Sequence, residues 1–209
     1  YRRNNYLDPD AYPIIDWQDR LMTGNGFTHN HTLSMSAGSE RIRVMTSLGY
    51  LDQNGIIKNA NFKRYNLRNN MDIRMNDRLN FRLDIAATYS RRAANPYQSS
   101  VFGFMNSKDP LMLAQWSDGS YAPFTGGTVN PLPMIEQGVG GNNIRQNGTL
   151  KASAALEYKP VQWLTLEVKA APQFTAVKTH KFVDLVEYHS DPYGTVSKTS
   201  NAEYNSLDE

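Results

Sequence analysis

The fold is decided between residues 50 and 90, which read YLDQNGIIKNANFKRYNLRNNMDIRMNDRLNFRLDIAATYS. From residue 79 onward the odd positions are apolar, and most of the even positions are polar or charged. The apolar set is Leu79, Phe81, Leu83, Ile85, Ala87 and Tyr89. Because successive side chains of a β-strand point to opposite faces, this alternation predicts a strand with one apolar and one polar face.

The segment before this strand alternates in the same way and predicts its antiparallel partner. Its apolar face is interrupted only by Asn69. The apolar residues on that face are Tyr65, Leu67, Met71 and Ile73. Only a short stretch around Asn76 and Asp77 separates the two segments, and such a pair favours a tight turn. The sequence therefore predicts a β-hairpin.

The same alternation recurs elsewhere and predicts about six strands. They lie near residues 31–38, 41–50, 63–75, 79–90, 149–158 and 163–171. The connections between them alternate in length. Short turns are predicted at 38–40, 75–78 and 159–162, and long loops at 51–62 and 91–147, with further long segments before residue 31 and after residue 171. No closing strand is predicted after residue 171.

This sorting of connections is typical of an outer-membrane β-barrel, which has short periplasmic turns at one rim and long extracellular loops at the other. A soluble sandwich has no physical reason to sort its loops in this way. Alternation alone does not choose between the two architectures. The charged face would be the solvent surface of a sandwich and the lumen of a large barrel.

Aromatic residues of the apolar face fall at two heights. Tyr50, Tyr65 and Tyr89 each lie near a long loop, whereas Tyr158 and Trp163 lie beside a short turn. These positions match the two interfacial aromatic girdles of a membrane barrel, where amphipathic rings favour the headgroup level. The alternative interpretation is the ordinary enrichment of aromatic residues in strands.

Composition narrows the function classes. The chain has 209 residues and no run of about 18 apolar residues, which excludes helical membrane spans and leaves a β-barrel possible. Its 22 basic and 20 acidic residues are interleaved, so nucleic acid is not predicted as a partner. Cysteine is absent, which excludes disulfides and cysteine metal sites. The first residues lack the apolar region of a signal peptide, so an exported protein would begin upstream of this chain.

Six strands are too few to close a barrel, because the smallest closed barrels need about eight. An open set would leave unpaired backbone in lipid, where it is very costly. The fold class predicted is therefore all-β, a segment of a large antiparallel transmembrane β-barrel with its remaining strands outside this chain.

Four segments carry a more specific signal. They are residues 16–19 (DWQD), 30–38 (NHTLSMSAG), 47–59 (SLGYLDQNGIIKN) and 62–68 (FKRYNLR). In order and spacing over residues 16–90, the chain resembles the SusC/RagA family of TonB-dependent outer-membrane transporters. The later strand pair is compatible with the same family.

The resemblance implies a barrel of about 22 strands with an internal plug. Residues 1–209 would form part of the one barrel domain, without a counterpart of the plug or the TonB box. It also implies active uptake of glycans or peptides at the outer membrane of a Gram-negative bacterium. The implied partners are a SusD-like surface lipoprotein that covers the external loops and the TonB complex that supplies energy. No cofactor and no enzymatic activity are implied. The alternative function is that of a soluble β-sandwich carbohydrate-binding module.

The predicted substrate contacts are three aromatic residues of the longest loop, Trp116, Tyr121 and Phe124, because sugars stack on aromatic faces. The alternative is that this loop packs on its neighbours or on the lipoprotein. No metal site is predicted: His29 and His31 are better explained as a polar strand start than as a ligand pair. No catalytic residue is predicted either, since Asp184 and Glu187 have no acid–base partner that the sequence places.

Overall fold

The computed structural model describes residues 2–123, 130–136, 139–190, 196–198 and 202–208. Its helices are α1 (Arg2–Leu7), α2 (Trp17–Leu21), α3 (Val101–Ser107) and α4 (Leu132–Ile135), with a 3-10 turn at Gln98–Ser100. Its strands are β1 (Phe27–Gly38), β2 (Ile42–Asn54), β3 (Asn61–Asn76), β4 (Leu79–Ala94), β5 (Asn142–Val161), β6 (Leu164–Ala170), β7 (Gln173–Val183), β8 (Glu187–His189), β9 (Val196–Lys198) and β10 (Ala202–Asp208).

One open antiparallel sheet contains most of the strands. Its neighbours follow the order β1-β2-β3-β4-β5-β7-β10, and β6 pairs with the other half of β5. β8 and β9 form a separate two-stranded sheet. From β1 to β5, each strand pairs with the next strand in sequence, as in an up-and-down barrel wall. The all-β fold class and the antiparallel order of the predicted strands are confirmed.

Strands reach further towards the long loops than the alternation predicted. β2 continues to Asn54, β4 continues to Ala94 and β5 begins at Asn142. The long connections therefore shrink to residues 55–60 and 95–141. Polar residues occupy both faces of these strand ends, so the period-2 signal fades while backbone pairing persists, as in the register of Arg92 with Arg145.

The prediction that no strand follows residue 171 is wrong. β6 pairs with residues 154–161 of β5, and β7 pairs with residues 142–151, so together they occupy one edge of β5. The break between them lies at Pro172, which has no N–H to donate to a ladder. Its carbonyl still accepts a hydrogen bond from the Ala152 N–H at 3.0 Å. The proline interrupts the strand pattern in the sequence, although strand pairing resumes at Gln173, directly after it.

The one polar exception on the predicted apolar face, Asn69, has a partner on the adjacent strand. The Asn69 Nδ2 donates to Thr46 Oγ1 at 2.7 Å, and the two residues are directly opposite in the β2–β3 register. Because the two side chains form a hydrogen bond with each other, the apolar face can accommodate both polar groups.

A compact set of buried apolar residues lies outside the sheet, among the helices and long connections. This loop cluster consists of Trp17, Leu21, Ile57, Val101, Ala114, Leu132 and Ile135. Asp16 caps the N-terminus of α2, and its side chain accepts from the Asp19 N–H at 3.1 Å. The Trp17 Nε1 donates to the Asp109 carbonyl at 3.0 Å, which ties α2 to a loop far along the chain.

The apolar face of the sheet is bare. Leu33 is 57% exposed, Leu150 is 45% exposed and Phe174 is 67% exposed. Among the residues that the structure describes, no second layer packs on this face. The sheet therefore does not form half of a self-contained sandwich.

Within the described ranges, no helix is both long enough and apolar enough to cross a bilayer.

Candidate functional site

Three tyrosines form a continuous aromatic row across the apolar face. Tyr50, Tyr65 and Tyr89 are directly opposite one another on β2, β3 and β4. Their ring centroids are 5.1 Å apart between Tyr50 and Tyr65 and 6.3 Å apart between Tyr65 and Tyr89. His31 extends the row onto β1, with its ring 6.4 Å from Tyr50 and nearly parallel to it. We call Tyr50, Tyr65 and Tyr89 the aromatic row.

Tyr158 and Trp163 lie at the opposite rim, beside the short turns. Tyr158 is 43% exposed and Trp163 is 84% exposed. Tyr158 pairs with Leu79, which is ten residues from Tyr89 along β4. At about 3.3 Å per residue and a tilt of about 40°, this separation corresponds to about 25 Å along a barrel axis. That height equals the apolar band of an outer-membrane barrel.

Charged residues begin one step beyond the aromatic row on the same face. Asp52 accepts from Tyr50 Oη at 2.9 Å and forms an ion pair with Lys63 at 3.1 Å. His29 lies 3.8 Å from Asp52 and 3.2 Å from His31. In the part of the chain that the structure describes, no group of three or more ligand-type side chains is arranged to hold a metal ion. The change from aromatic to ionic side chains occurs within two residues along each strand.

The polar face carries charge along its whole length. Near the short turns, Arg82 forms an ion pair with Asp72 at 3.2 Å, and Lys159 forms one with Glu157 at 2.9 Å. Asp72, Arg82 and Glu157 border a hollow of about 330 Å³ that Arg43 also lines. Because these side chains are solvated and of both signs, the polar face suits a wet surface that contacts water or polar solutes.

Two of the three predicted substrate contacts lie in one small hairpin of the long β4–β5 loop. Gln115 and Tyr121 form a β-bridge, and the Trp116 N–H donates to the Ser120 carbonyl at 2.8 Å. The Trp116 Nε1 donates to the His189 carbonyl at 2.8 Å. The Tyr121 hydroxyl donates to Glu136. Both rings are partly exposed.

The third predicted contact, Phe124, lies outside the described residues. The role of all three aromatic residues in substrate binding stays a prediction.

The hairpin has a perturbed electrostatic environment. Burial, followed by the neighbouring Glu136 carboxylate, raises the pKa of Tyr121 above its ordinary range. The hydroxyl and N–H of Ser120 donate to Asp118 and hold the pKa of that carboxyl below its usual value. Both groups are therefore in their ordinary protonation states at neutral pH: Tyr121 is a hydrogen-bond donor and Asp118 is an acceptor.

Sequence reasoning missed the polar residues that hold these loops together. Asn130 is fully buried, and its Nδ2 donates to the carbonyls of Ala114 at 2.5 Å and Ala122 at 2.8 Å. Its carbonyl accepts from the Tyr188 hydroxyl at 3.2 Å. The available signal was the Asn130-Pro131 dipeptide, which marks an ordered turn. It did not indicate which carbonyls the amide would bind.

A cavity of about 730 Å³ with polar and apolar residues in its wall lies between the loops and the end of the sheet nearest to them. Arg91, Asn95 and Glu136 are among the residues that line it. Asn95 is only 3% exposed, and its Nδ2 lacks a hydrogen-bond partner among the described residues. A buried amide without a partner costs free energy, and protein atoms cover this Nδ2 so that it is not exposed to the cavity.

The curated proteins that the chain resembles in sequence are TonB-dependent receptors. The chain is 28% identical over 179 residues to the TonB-dependent receptor P26 of Formosa agariphila, covering 84% of this chain and 17% of that protein. It is 38% identical over 50 residues to the TonB-dependent receptor SusC of Bacteroides thetaiotaomicron, covering 24% of this chain and 5% of SusC. No family model matches the chain.

Solved structures agree on the fold. The RagAB peptide importer in its closed-closed state matches with a TM-score of 0.64 and 22% identity, covering 86% of this chain and 20% of that one. The open-open state of the same importer matches with a TM-score of 0.60 and 20% identity, covering 92% of this chain and 22% of that one. The chain thus spans less than a quarter of each of these relatives. In sequence the chain is similar to TonB-dependent receptors that include SusC, and in fold it is similar to part of the RagAB importer.

Proposed function

We propose that the protein takes up glycans or peptides across the outer membrane of a Gram-negative bacterium by TonB-dependent transport. The observation that carries the proposal is the bare apolar face of the sheet, bounded by Tyr89 near one rim and Tyr158 near the other. Lipid is the environment in which exposed leucines need no protein cover. The named relatives, which are TonB-dependent receptors, support the same activity.

In this proposal the polar face lines the lumen. Its mixed charges, such as the Asp72–Arg82 pair, suit a wet passage that contacts a plug and polar solutes. The plug belongs to the part of the transporter outside this chain, and the TonB complex acts on it. The protein is then a conduit and not an enzyme, and it needs no cofactor.

The long loops face outward from the cell in this orientation and would contact a SusD-like surface lipoprotein. The loop cluster supports that role because it gives the loops a fixed shape of their own. The SusC and RagAB relatives favour such a two-protein arrangement. The proposed substrate contacts are the ring faces of Trp116, Tyr121 and Phe124. The indole N–H and the phenol hydroxyl of the first two already bind protein groups, which leaves their faces for stacking.

The soluble carbohydrate-binding module is a poorer explanation. It would have to leave Leu33 and Phe174, which are 57% and 67% exposed, in contact with water across a broad sheet. Exposed apolar patches of that extent mark membrane or protein contact in soluble proteins.

Membrane fractionation and uptake assays test the proposal. The gene is deleted, and the strain is complemented with a tagged copy encoding the whole protein. We expect the tagged protein in the outer-membrane fraction, with a folded form that migrates differently from the boiled form on a detergent gel. We also expect that growth on one class of defined glycans or peptides is lost on deletion and requires a functional TonB complex. A soluble protein, or uptake that is independent of TonB, would contradict the proposal.

The substrate contacts are tested in the same strains. Trp116→Ala removes one proposed stacking surface, and Trp163→Ala, at the short-turn rim, removes a matched tryptophan far from the loops. We expect reduced uptake at limiting substrate for Trp116→Ala alone, with equal amounts of both variants in the membrane. Equal uptake by the two variants would remove Trp116 from the proposed site.

A further inference from the structure

The register brings three hydrogen-bond donors into line just beyond the aromatic row. Arg91 on β4 is opposite Gln146 on β5, and Gln146 is opposite Lys178 on β7. Since neighbouring strands are about 4.8 Å apart, the three residues span about 10 Å of the apolar face. The Gln146 Nε2 also donates to the Tyr89 hydroxyl at 2.9 Å, which fixes the amide between the two cations.

Within the described residues, neither of the two cations, Arg91 and Lys178, forms an ion pair with an acidic side chain. Asp52, the acidic residue of the same row, lies two strands from Arg91 and is already paired with Lys63 at 3.1 Å. Glu136 lines the cavity next to Arg91 and accepts from Tyr121. The line of donors therefore carries a net positive charge at the depth where the apolar face ends.

A notch lies directly below these donors. The residue opposite Tyr89 on β5 is Gly148, and the residue opposite Gly148 on β7 is Ala176. A Cβ atom at Gly148 would meet only the Ala176 carbonyl, at 4.0 Å, so the aromatic row stops there and leaves open space. Below the notch, Leu150 and Phe174 are 45% and 67% exposed. A ligand seated here would meet cations above and apolar side chains below.

The cavity of about 730 Å³ begins next to Arg91. Arg91 lines it, and so do Asn61 and the buried Asn95, whose Nδ2 lacks a partner among the described residues. Side-chain amides in the wall, such as those of Asn61 and Asn142, are hydrogen-bonding groups for a hydroxyl-bearing ligand such as a sugar. Along the strands towards the long loops, the exposed apolar residues Leu150 and Phe174 come first and the notch at Gly148 second. The cations follow, and the cavity lies beyond them.

We propose that Arg91, Gln146 and Lys178 form a binding site for the phosphate of a phosphorylated glycolipid in the outer leaflet. The inference rests on the proposed membrane placement. Guanidinium and ammonium groups make strong, charge-assisted hydrogen bonds to phosphate oxygens, and basic clusters beside the bilayer recruit anionic headgroups. The sugar ring lies against Tyr89 in the notch, its acyl chains cover Leu150 and Phe174, and further sugars enter the cavity lined by Asn95.

The test measures lipid binding to the whole protein as its gene encodes it, purified in a neutral detergent. The probes are diphosphorylated lipid A, the same lipid after enzymatic removal of its phosphates, phosphatidylglycerol and inorganic phosphate. The variant R91Q/K178Q removes the two cations. The control R92Q/K151Q removes one arginine and one lysine from the polar face of β4 and β5. Binding is followed by native mass spectrometry at two salt concentrations.

We expect wild type and the control to bind diphosphorylated lipid A, and R91Q/K178Q to bind it at least about tenfold more weakly. Dephosphorylated lipid A, phosphatidylglycerol and inorganic phosphate should bind weakly to all three proteins. Higher salt should narrow the difference. A further variant, G148W, fills the notch without changing charge and should weaken lipid A binding with no effect on inorganic phosphate.

Equal binding of lipid A by wild type and R91Q/K178Q would overturn the inference, as would equal binding of phosphorylated and dephosphorylated lipid. Tight binding of inorganic phosphate alone would assign the cations to a soluble anion instead. Each variant is also scored for its outer-membrane fraction and its heat-modifiable migration. Loss of lipid binding in a correctly inserted protein concerns this site, whereas absence of wild type from the outer membrane would refute the proposed function itself.

Discussion

The sheet and the loop cluster distribute their apolar residues in opposite ways. In the sheet, large side chains such as Leu33 and Phe174 remain more than half exposed. In the loop cluster, Leu21 and Val101 are completely buried. The same chain thus has one region whose apolar face is uncovered among the described residues and another that forms a core of its own. Because the loop cluster has its own buried residues, the loops are an ordered structure and not only connections between strands.

The largest expected effect falls on the loop cluster. Leu21→Ala removes a fully buried side chain, and we expect it to destabilise the loop cluster by about 2–5 kcal/mol because a cavity remains. The measurement is hydrogen exchange of the loop amides in detergent micelles. Leu7→Ala is the control, since Leu7 is 72% exposed. Faster exchange in β3 and β4 with no change in the loops would contradict the view that the two regions are separate units.

The apolar face is tested near its midplane. Leu83→Arg places a charge where lipid is expected, and we predict a loss of about 2–4 kcal/mol in the free energy of unfolding from vesicles. Ser153→Arg is the matched control on the polar face, where the register places it opposite Asp84, and should change stability by less than about 1 kcal/mol. Equal effects would mean that the two faces do not differ in environment.

The two regions also differ in how far their sequence predicted them. The strands were predictable because a sheet with one apolar and one polar face has a local period of two in its sequence, as at Leu79 to Tyr89. Strand β7 was missed because Pro172 breaks the ladder, and because Lys178 and His180 interrupt the apolar alternation in the half of β7 nearer the long loops. The sequence of β7 also contains no pattern that would identify β5 as the strand with which it pairs.

The loop cluster was not predictable from local pattern. Its contacts join distant residues: the Trp17 indole binds the Asp109 carbonyl 92 residues away, and Asn130 lies 58 residues from its Tyr188 partner. No periodicity encodes such pairs. The aromatic residues of the predicted substrate site were chosen only because they are aromatic residues in a long loop. The sequence did not indicate that the Trp116 indole N–H donates to the His189 carbonyl.

The loop cluster should also respond to alkaline pH. Burial, followed by the nearby Tyr97, raises the pKa of Tyr188 to about 12, above the ordinary value of about 10. Below pH 10 both folded and unfolded forms keep the proton, so the contribution of Tyr188 is complete. Above pH 10 the unfolded form ionises first, and stability falls by about 1.4 kcal/mol per pH unit until about pH 12.

Protease sensitivity of the loops between pH 8 and 12 measures this loss. Tyr188→Phe should flatten the pH dependence, although it also removes the hydrogen bond to the Asn130 carbonyl and lowers stability at neutral pH. Tyr6→Phe, at a residue that is 89% exposed, should leave the profile unchanged. A profile with the same slope in Tyr188→Phe would assign the alkaline loss to another group.

The smallest expected effect concerns the Thr46–Asn69 pair, the two polar residues that face each other on the apolar face. Thr46→Val leaves the Asn69 amide without its partner at 2.7 Å, and we expect a loss of about 1 kcal/mol on unfolding from vesicles. The double variant Thr46→Val/Asn69→Leu removes both polar groups and should recover wild-type stability or exceed it, because lipid favours the apolar pair. Ser34→Ala breaks the Ser34–Ser47 hydrogen bond of 3.0 Å on the polar face, where water replaces it, and should have almost no effect. A double variant less stable than Thr46→Val would show that this part of the face contacts polar groups and not acyl chains.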